Sequence, residues 1–497
     1  MKKIISLNFL AYAKIICAFY SIFFLSSCSS ILTARKVKEP IITEYLSGNI
    51  VNAEKIACDY SESRTGTGDE LMWRLEEAKI KFDQGKYKEA LSTFEIAEKI
   101  VMDFDERAKI SAREVGAEAG AAITNQNAIP YRGFISDRIL INAYKALCYL
   151  GLGKKNDAMV EIRRMHQRQK DALEYFDSEI KRAEEEIKNQ RKELSEAAQK
   201  NSANFDSIIN SNPELKKSAD EMKKLSKKIY GDFINPFSLY LSAIVYLMNG
   251  NYNEANVDFR NLYKAMPDNN IIAKDFVTTS KQIGARIPEE LQTISEWKYP
   301  LNKNIVFVIF ENGMIAALKE EKVQIILPPP IPTGYSGIAF PVLETFPEPF
   351  QSINIEAENK IYQPVTISKM DSVFGAEFNV LFPYIITRLV ISTIVKEAAA
   401  FAAQMAAEEA GGDLAKWGTV VGTSLYKYIF NTADTRSWQT LPKKYMITHF
   451  PKPEDGILKI SWGANSKTIT LKPTTTFAII YIRAQSANFF NIQTLEF

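Results

Sequence analysis

His166 and His449 are the only histidines in a 497-residue chain, and they stand far apart in sequence. That leaves few partners for a Ser-His or Cys-His nucleophile. It also argues against a histidine-based zinc site; no metal or cofactor is expected, and each histidine reads as structural or solvent-facing. The chain lacks a Walker-type glycine loop, a G-x-S-x-G elbow and an H-E-x-x-H helix. Carboxylates such as Glu311 or Asp434 could do acid–base work, but a working pair is not recognisable from spacing. Two stretches have the residue types of a recognition spot. Tyr131 and Arg132 sit in a polar loop after Asn125-Gln126-Asn127, and Asp434, Arg436 and Trp438 sit in Ala433-Asp434-Thr435-Arg436-Ser437-Trp438. The first also reads as plain turns. The second also reads as a junction, with an aspartate turn at a helix end and Trp438 in the core, and that reading is preferred. The remaining reactive group is the Cys28 thiol. It follows Leu25-Ser26-Ser27 and an apolar stretch from Ile15 to Leu25, with Lys2 and Lys3 ahead.

That N-terminus resembles the lipobox of bacterial lipoproteins. The resemblance implies that residues 1–27 are a signal peptide and that Cys28 becomes the first residue, its thiol carrying a diacylglyceryl group. Fatty acyl chains such as palmitate then tie the chain to a membrane. Lys14 departs from the usual pattern by lengthening the positive region. A transmembrane anchor is the competing reading, but it needs roughly 20 apolar residues and the run is shorter. Ser29, where an aspartate would signal retention, implies an outer-membrane destination facing the periplasm. Residues 28–40 read as a tether.

The chain carries 61 basic and 59 acidic side chains, a net charge of +2. Such balance gives no case for nucleic-acid binding, and the length suits two or three domains. Beyond Cys17 and Cys28 only Cys58 and Cys148 remain. A disulfide between them is conceivable in an oxidising compartment, although Cys148 suits an apolar helix face as a small hydrophobe.

The reactive residues must be held by something, and the first half supplies helical hairpins. Ala78, Gly85, Tyr87, Ala90 and Phe94 recur as Ala243, Gly250, Tyr252, Ala255 and Phe259, with Pro267 closing the second set. Ala146, Gly153 and Ala158 form a weaker copy, in which Lys155 replaces the aromatic. These offsets resemble tetratricopeptide repeats; plain helical hairpins are the alternative. Glycine allows the tight turn, alanine the close helix approach, and proline the stop. The repeat domain is placed at 41–299. Within it a charged segment around 161–231 carries Leu173, Phe176, Ile180, Ala183 and Ile187 on one seam, which predicts an antiparallel coiled-coil hairpin. It reads equally as a partner-binding arm or as a solvated spacer.

The composition changes near Pro300. Ile305–Phe310 reads as a strand, and Glu311-Asn312-Gly313 as a hairpin turn onto Met314–Leu318. Further strands are expected at Val323–Leu327, Gly334–Pro341, Tyr362–Ser368, Ile457–Trp462, Thr468–Lys472 and Thr476–Ile482. A helical hairpin insert is expected at about 371–430; Arg388 and Lys396 within its apolar run argue against a membrane span. The Ala433–Trp438 stretch, with Glu311-Asn312-Gly313 and Pro130-Tyr131-Arg132-Gly133, is similar to segments of an uncharacterised family of bacterial lipoproteins. That family joins tetratricopeptide-like repeats to a β-containing C-terminal region and implies no particular activity.

The expectation is an α+β multidomain chain: an N-terminal α-solenoid with a coiled-coil insert, then a β-rich domain at 300–497 with a helical insert. Its expected role is a lipid-anchored binding or scaffold protein of the envelope, working on protein partners through the concave face of its repeats. An envelope hydrolase with C-terminal carboxylates, or a membrane-inserting component using residues 382–430, are the alternatives.

Overall fold

The computed structural model describes residues 33–111, 130–192, 235–326, 335–394 and 432–497, with scattered helical positions at 213–220 and 397–406. The signal peptide, Cys28, the loop at 125–127, most of the second half of the expected coiled-coil hairpin and the expected helix at 414–430 lie outside those residues.

The chain opens with α1 (Ala34–Ser47) and α2 (Ile50–Ser63), followed by α3 (Glu70–Asp83) and α4 (Tyr87–Ser111). Next come α5 (Ile135–Gly151), α6 (Lys155–Lys192), α7 (Pro236–Met248), α8 (Tyr252–Ala265) and α9 (Asn270–Ile283). Gly85, Gly153 and Gly250 join α3 to α4, α5 to α6 and α7 to α8, with φ of +75°, +73° and +77°. Only glycine takes that conformation at little cost. In all three turns the glycine N–H bonds a carbonyl three residues back and the next N–H bonds one five back, at 2.8–3.1 Å. Ala78, Ala90, Ala146, Ala158, Ala243 and Ala255 are wholly buried, as are Phe94 and Phe259. Neighbouring helices run antiparallel, so α1, α3 and α5 begin at one end of the body. Arg138–Asp105 and Asn142–Glu98 contacts fix that direction for α4 and α5.

Two expectations about the helices need correcting. The tether expected at 28–40 is shorter, because Ala34–Pro40 belongs to α1 and Lys38 is buried. Lys38, Ile41 and Tyr45 lie on one helical face that finds cover in the rest of the body. The coiled-coil segment is also no separate element: α6 runs unbroken for 38 residues, from the third hairpin into the arm. Of its seam, Ile180 is half-buried, while the Leu173, Phe176, Ala183 and Ile187 side chains lie outside the description.

The strands are β1 (Ile305–Asn312), β2 (Ala317–Ile326), β3 (Tyr335–Glu344), β4 (Asn354–Ala357), β5 (Lys360–Tyr362) and β6 (Val365–Lys369). Helix α10 (Met370–Ile394) follows, then β7 (Lys444–Pro451), β8 (Ile457–Trp462), β9 (Asn465–Thr470), β10 (Phe477–Ser486) and β11 (Phe489–Glu496). The main sheet has the order β11-β10-β1-β7-β6, with β1 at its centre, parallel to β10 and antiparallel to β7. The expected β1 hairpin at Glu311-Asn312-Gly313 is therefore not made. β1 is buried along its whole length, and a strand covered on both faces takes central neighbours brought from far along the chain. Gly313 still turns the chain, at φ +70°, but β2 pairs with β3 instead. At the C-terminus Asn465 pairs with Trp462 across a two-residue turn, so β9 starts earlier than expected. Ile305, Phe307 and Ile309 face the helical core, while Val306, Val308 and Phe310 face the smaller sheet of β4, β5, β8 and β9. The α+β layout of helices followed by sheets matches the expectation.

Candidate functional site

The first helix of each hairpin is buried nearly throughout, α5 and α7 almost without an exposed position. Their covering is the protein's own C-terminal half: Phe82 meets Tyr481, Phe237 stacks on Tyr445 at 3.6 Å, and Tyr144 meets Trp438. The face expected to receive a partner is occupied from within the chain.

At its centre an irregular segment, 433–441, is gripped by the helices. Glu76 of α3 accepts the Gln439 N–H at 2.8 Å, the Thr440 N–H at 3.0 Å and the Thr440 hydroxyl at 2.8 Å. Lys38 of α1 donates to Glu76 at 3.0 Å and to the Ser437 carbonyl. The Arg35 N–H donates to Thr435 Oγ1 at 3.1 Å. Arg436 pairs with Asp69 at the start of α3 (2.8 Å) and with Asp434 (2.6 Å), and its guanidinium lies 5.9 Å from the Tyr131 ring centroid. The Tyr131 hydroxyl donates to Asp137 at 2.6 Å. Trp438 fills the core beside Phe94 and Tyr144, its indole N–H bonded to Thr440 Oγ1 at 3.0 Å. Tyr131, Asp434, Arg436 and Trp438, read from sequence as two separate spots, thus belong to one place. Arg132 stands beside it, its guanidinium 5.9 Å from the Phe104 ring centroid.

Lys38 and Glu76 are both fully buried. Burial lowers the Lys38 pKa from its ordinary value, and the adjoining Glu76 carboxylate offsets part of that shift. Two carboxylates, Glu377 and Asp137, sit together at the start of α5. Glu377 of α10 accepts the Ile135 N–H at 2.7 Å and the Ser136 N–H at 3.5 Å. Burial raises Glu377 to about 8 and Asp137 to about 6, against the backbone donors that favour their charged forms.

Next to the clamp lies a sealed layer of charge. Glu311 accepts from Tyr144 at 2.5 Å, from Lys79 at 2.9 Å and from Tyr481. Lys79 also pairs with Asp83, which accepts from Tyr45 at 2.5 Å. Arg483 donates to the Tyr45 hydroxyl at 3.1 Å and to the Gly313 carbonyl at 2.6 Å. The two carboxylates and two cations are fully buried and balance in charge, the condition under which such groups can leave water. Glu311, saturated with donors and shut off from solvent, is not poised here as a general acid or base.

Neither histidine forms a nucleophilic set. His166 Nε2 lies 2.8 Å from Ser242 Oγ, but that hydroxyl is buried and donates to Asp258 at 2.6 Å. A base of the triad kind needs its other nitrogen held by the acid, whereas Nε2 itself faces Asp258, at 3.5 Å. His449 is buried against Asp275 (2.9 Å), which also accepts from Tyr240 and Trp297. An open cavity of about 340 Å³ lies alongside, lined by Tyr252, Trp297 and Tyr299 among others. Cys58 and Cys148 are free thiols. Among the described residues no group of histidine, cysteine and carboxylate side chains gathers as a metal site.

Sequence reasoning found the aromatic and arginine members of the clamp but missed Lys38, Asp69 and Glu76. A signal was present: Glu76, Lys79 and Asp83 fall at helical spacing on a face that also carries apolar Leu75 and Phe82. Comparison with family models, with curated proteins and with solved structures finds no match for this chain.

Proposed function

We propose that this chain is a lipid-anchored scaffold of the bacterial envelope, held at the outer membrane through Cys28 and facing the periplasm, without a catalytic centre of its own. Its hairpins are read as tetratricopeptide-like repeats, on the strength of three identical glycine turns and the buried alanines around them. The observation that carries the reading is the clamp. Side chains of α1 and α3 hold an irregular stretch of polypeptide by its main-chain N–H and C=O groups, a peptide-holding surface of the kind that a helical array can offer.

Because that groove is filled by residues 433–441, partner contact falls to the parts that leave the body. The principal one is the arm formed by α6, whose outer half exposes Glu174, Lys181, Glu185 and Lys188. A photo-crosslinking amino acid at position 170 or 174, in intact cells, should give discrete protein adducts. The same probe at Lys467, on exposed β9, should not. Adducts from 467 alone, or from no position, would contradict an arm-borne scaffold role.

A further inference from the structure

We propose that the end of the molecule where α1, α3 and α5 begin lies against the lipid bilayer, with the outer half of α10 seated in its interface. The inference rests on the reading of Cys28 as the anchor and adds an orientation to it. Contacts of neighbouring residues gather the start of α1 (Arg35 to Thr435), the start of α3 (Asp69 to Arg436) and the loop leading into α5 (Tyr131 under Arg436). From this same end two helices run outward. α6 is antiparallel to α5 and overshoots its start by roughly 30 Å at 1.5 Å per residue. α10 meets α5 at Glu377 and continues to Ile394, about 25 Å further on the same rise. The two travel together, since the Tyr384 hydroxyl donates to Glu184 at 3.2 Å.

The anchor reaches no further than these helices. From Thr33 back to Cys28 is five residues, at most about 18 Å of extended chain. Thr33 lies little more than one helical turn beyond Lys38, whose charge is felt by Asp137 beside Glu377. Even a tether pulled straight therefore places the lipid about level with the tip of α10, and a relaxed tether brings the bilayer onto its sides. The chemistry of that stretch fits. Residues 380–394 read VLFPYIITRLVISTI, with Arg388 the single charged residue. Val380 is exposed and Leu381, Tyr384, Ile385 and Leu389 are only partly covered, whereas Phe382, Ile386, Val390, Ile391 and Ile394 turn into the core, so one face of the helix is left for the lipid. An apolar helix face with an aromatic at its margin is suited to the headgroup boundary.

The test uses the full lipidated chain, in a Cys58→Ser background, reconstituted into phosphatidylethanolamine–phosphatidylglycerol vesicles that contain nitroxide-bearing lipids. A bimane fluorophore is placed at Ile385→Cys or Leu389→Cys, and at Lys154→Cys in the turn at the opposite end; unchanged melting confirms folding of each variant. Loss of most of the emission at 385 and 389, with none at 154, is the expected result. Emission at 385 and 389 as bright as at 154, on protein still vesicle-bound and acylated by mass spectrometry, overturns the orientation and leaves the anchor standing. Protein without acyl chains on Cys28 overturns the anchoring reading, and this inference with it.

Discussion

Glu76 accepts three hydrogen bonds from a segment more than 360 positions away, with Lys38 as its buried counter-ion. Removing one partner of a buried pair strands the other's charge, at a cost of about 3–5 kcal/mol. Glu76→Ala is therefore expected to lower unfolding stability by that order in urea titrations; a loss within the noise of a surface substitution would contradict the clamp. Glu377 makes a prediction with a sign. Its folded pKa, about 8, lies above the ordinary 4.5, so the folded state favours the protonated form. That contribution is fully present below pH 4.5 and is lost as pH rises from there through 8. Glu377→Gln, neutral at every pH, should flatten this decline, read from urea midpoints at pH 5 and pH 8.5; an unchanged pH slope would show that Glu377 does not titrate as stated. At this scale the sequence exposes Trp438, Tyr131 and Arg436 by type alone. Lys38 looks like an ordinary helix-surface charge, because its burial is created by chain that arrives hundreds of residues later.

The helical hairpins are the elements most legible beforehand, since glycine at the turn and alanine at the crossing are local requirements written in adjacent residues. Tyr87, read from sequence as inter-hairpin packing, has its ring against the backbone of Gly151: a Cβ added there would clash with the ring. Gly151→Ala should force the ring aside and cost about 1–3 kcal/mol, as overpacking does, visible as a lower melting temperature. A neutral result would mean that the two hairpins do not meet as described. The strands were less legible. Glu311-Asn312-Gly313 has hairpin chemistry, yet parallel pairing of β1 with β10 joins residues more than 170 positions apart, and no local turn signal reports that. Likewise β7, which lies between β1 and β6, and the edge strand β11 are defined by the ladder rather than by their own patterning.

At the scale of the whole molecule, the helical half and the sheet half are one body. The sealed Glu311, Lys79, Asp83 and Arg483 layer and the clamp around Trp438 join them. The sides of α3, α5 and α7 that meet the sheet half are thereby covered, and α6 and α10 leave from the end where α1 begins. Two helices leaving from the end where α1 begins suit the proposed scaffold held close to a membrane. Everything in that account depends on the lipid at Cys28. The most direct measurement is metabolic labelling of the producing bacterium with an alkyne fatty acid, comparing the wild-type chain with Cys28→Ala. The account predicts a labelled wild type, cleaved before Cys28 and found in the outer-membrane fraction, and an unlabelled variant. An unlabelled wild type, or a variant that keeps its label, would contradict it.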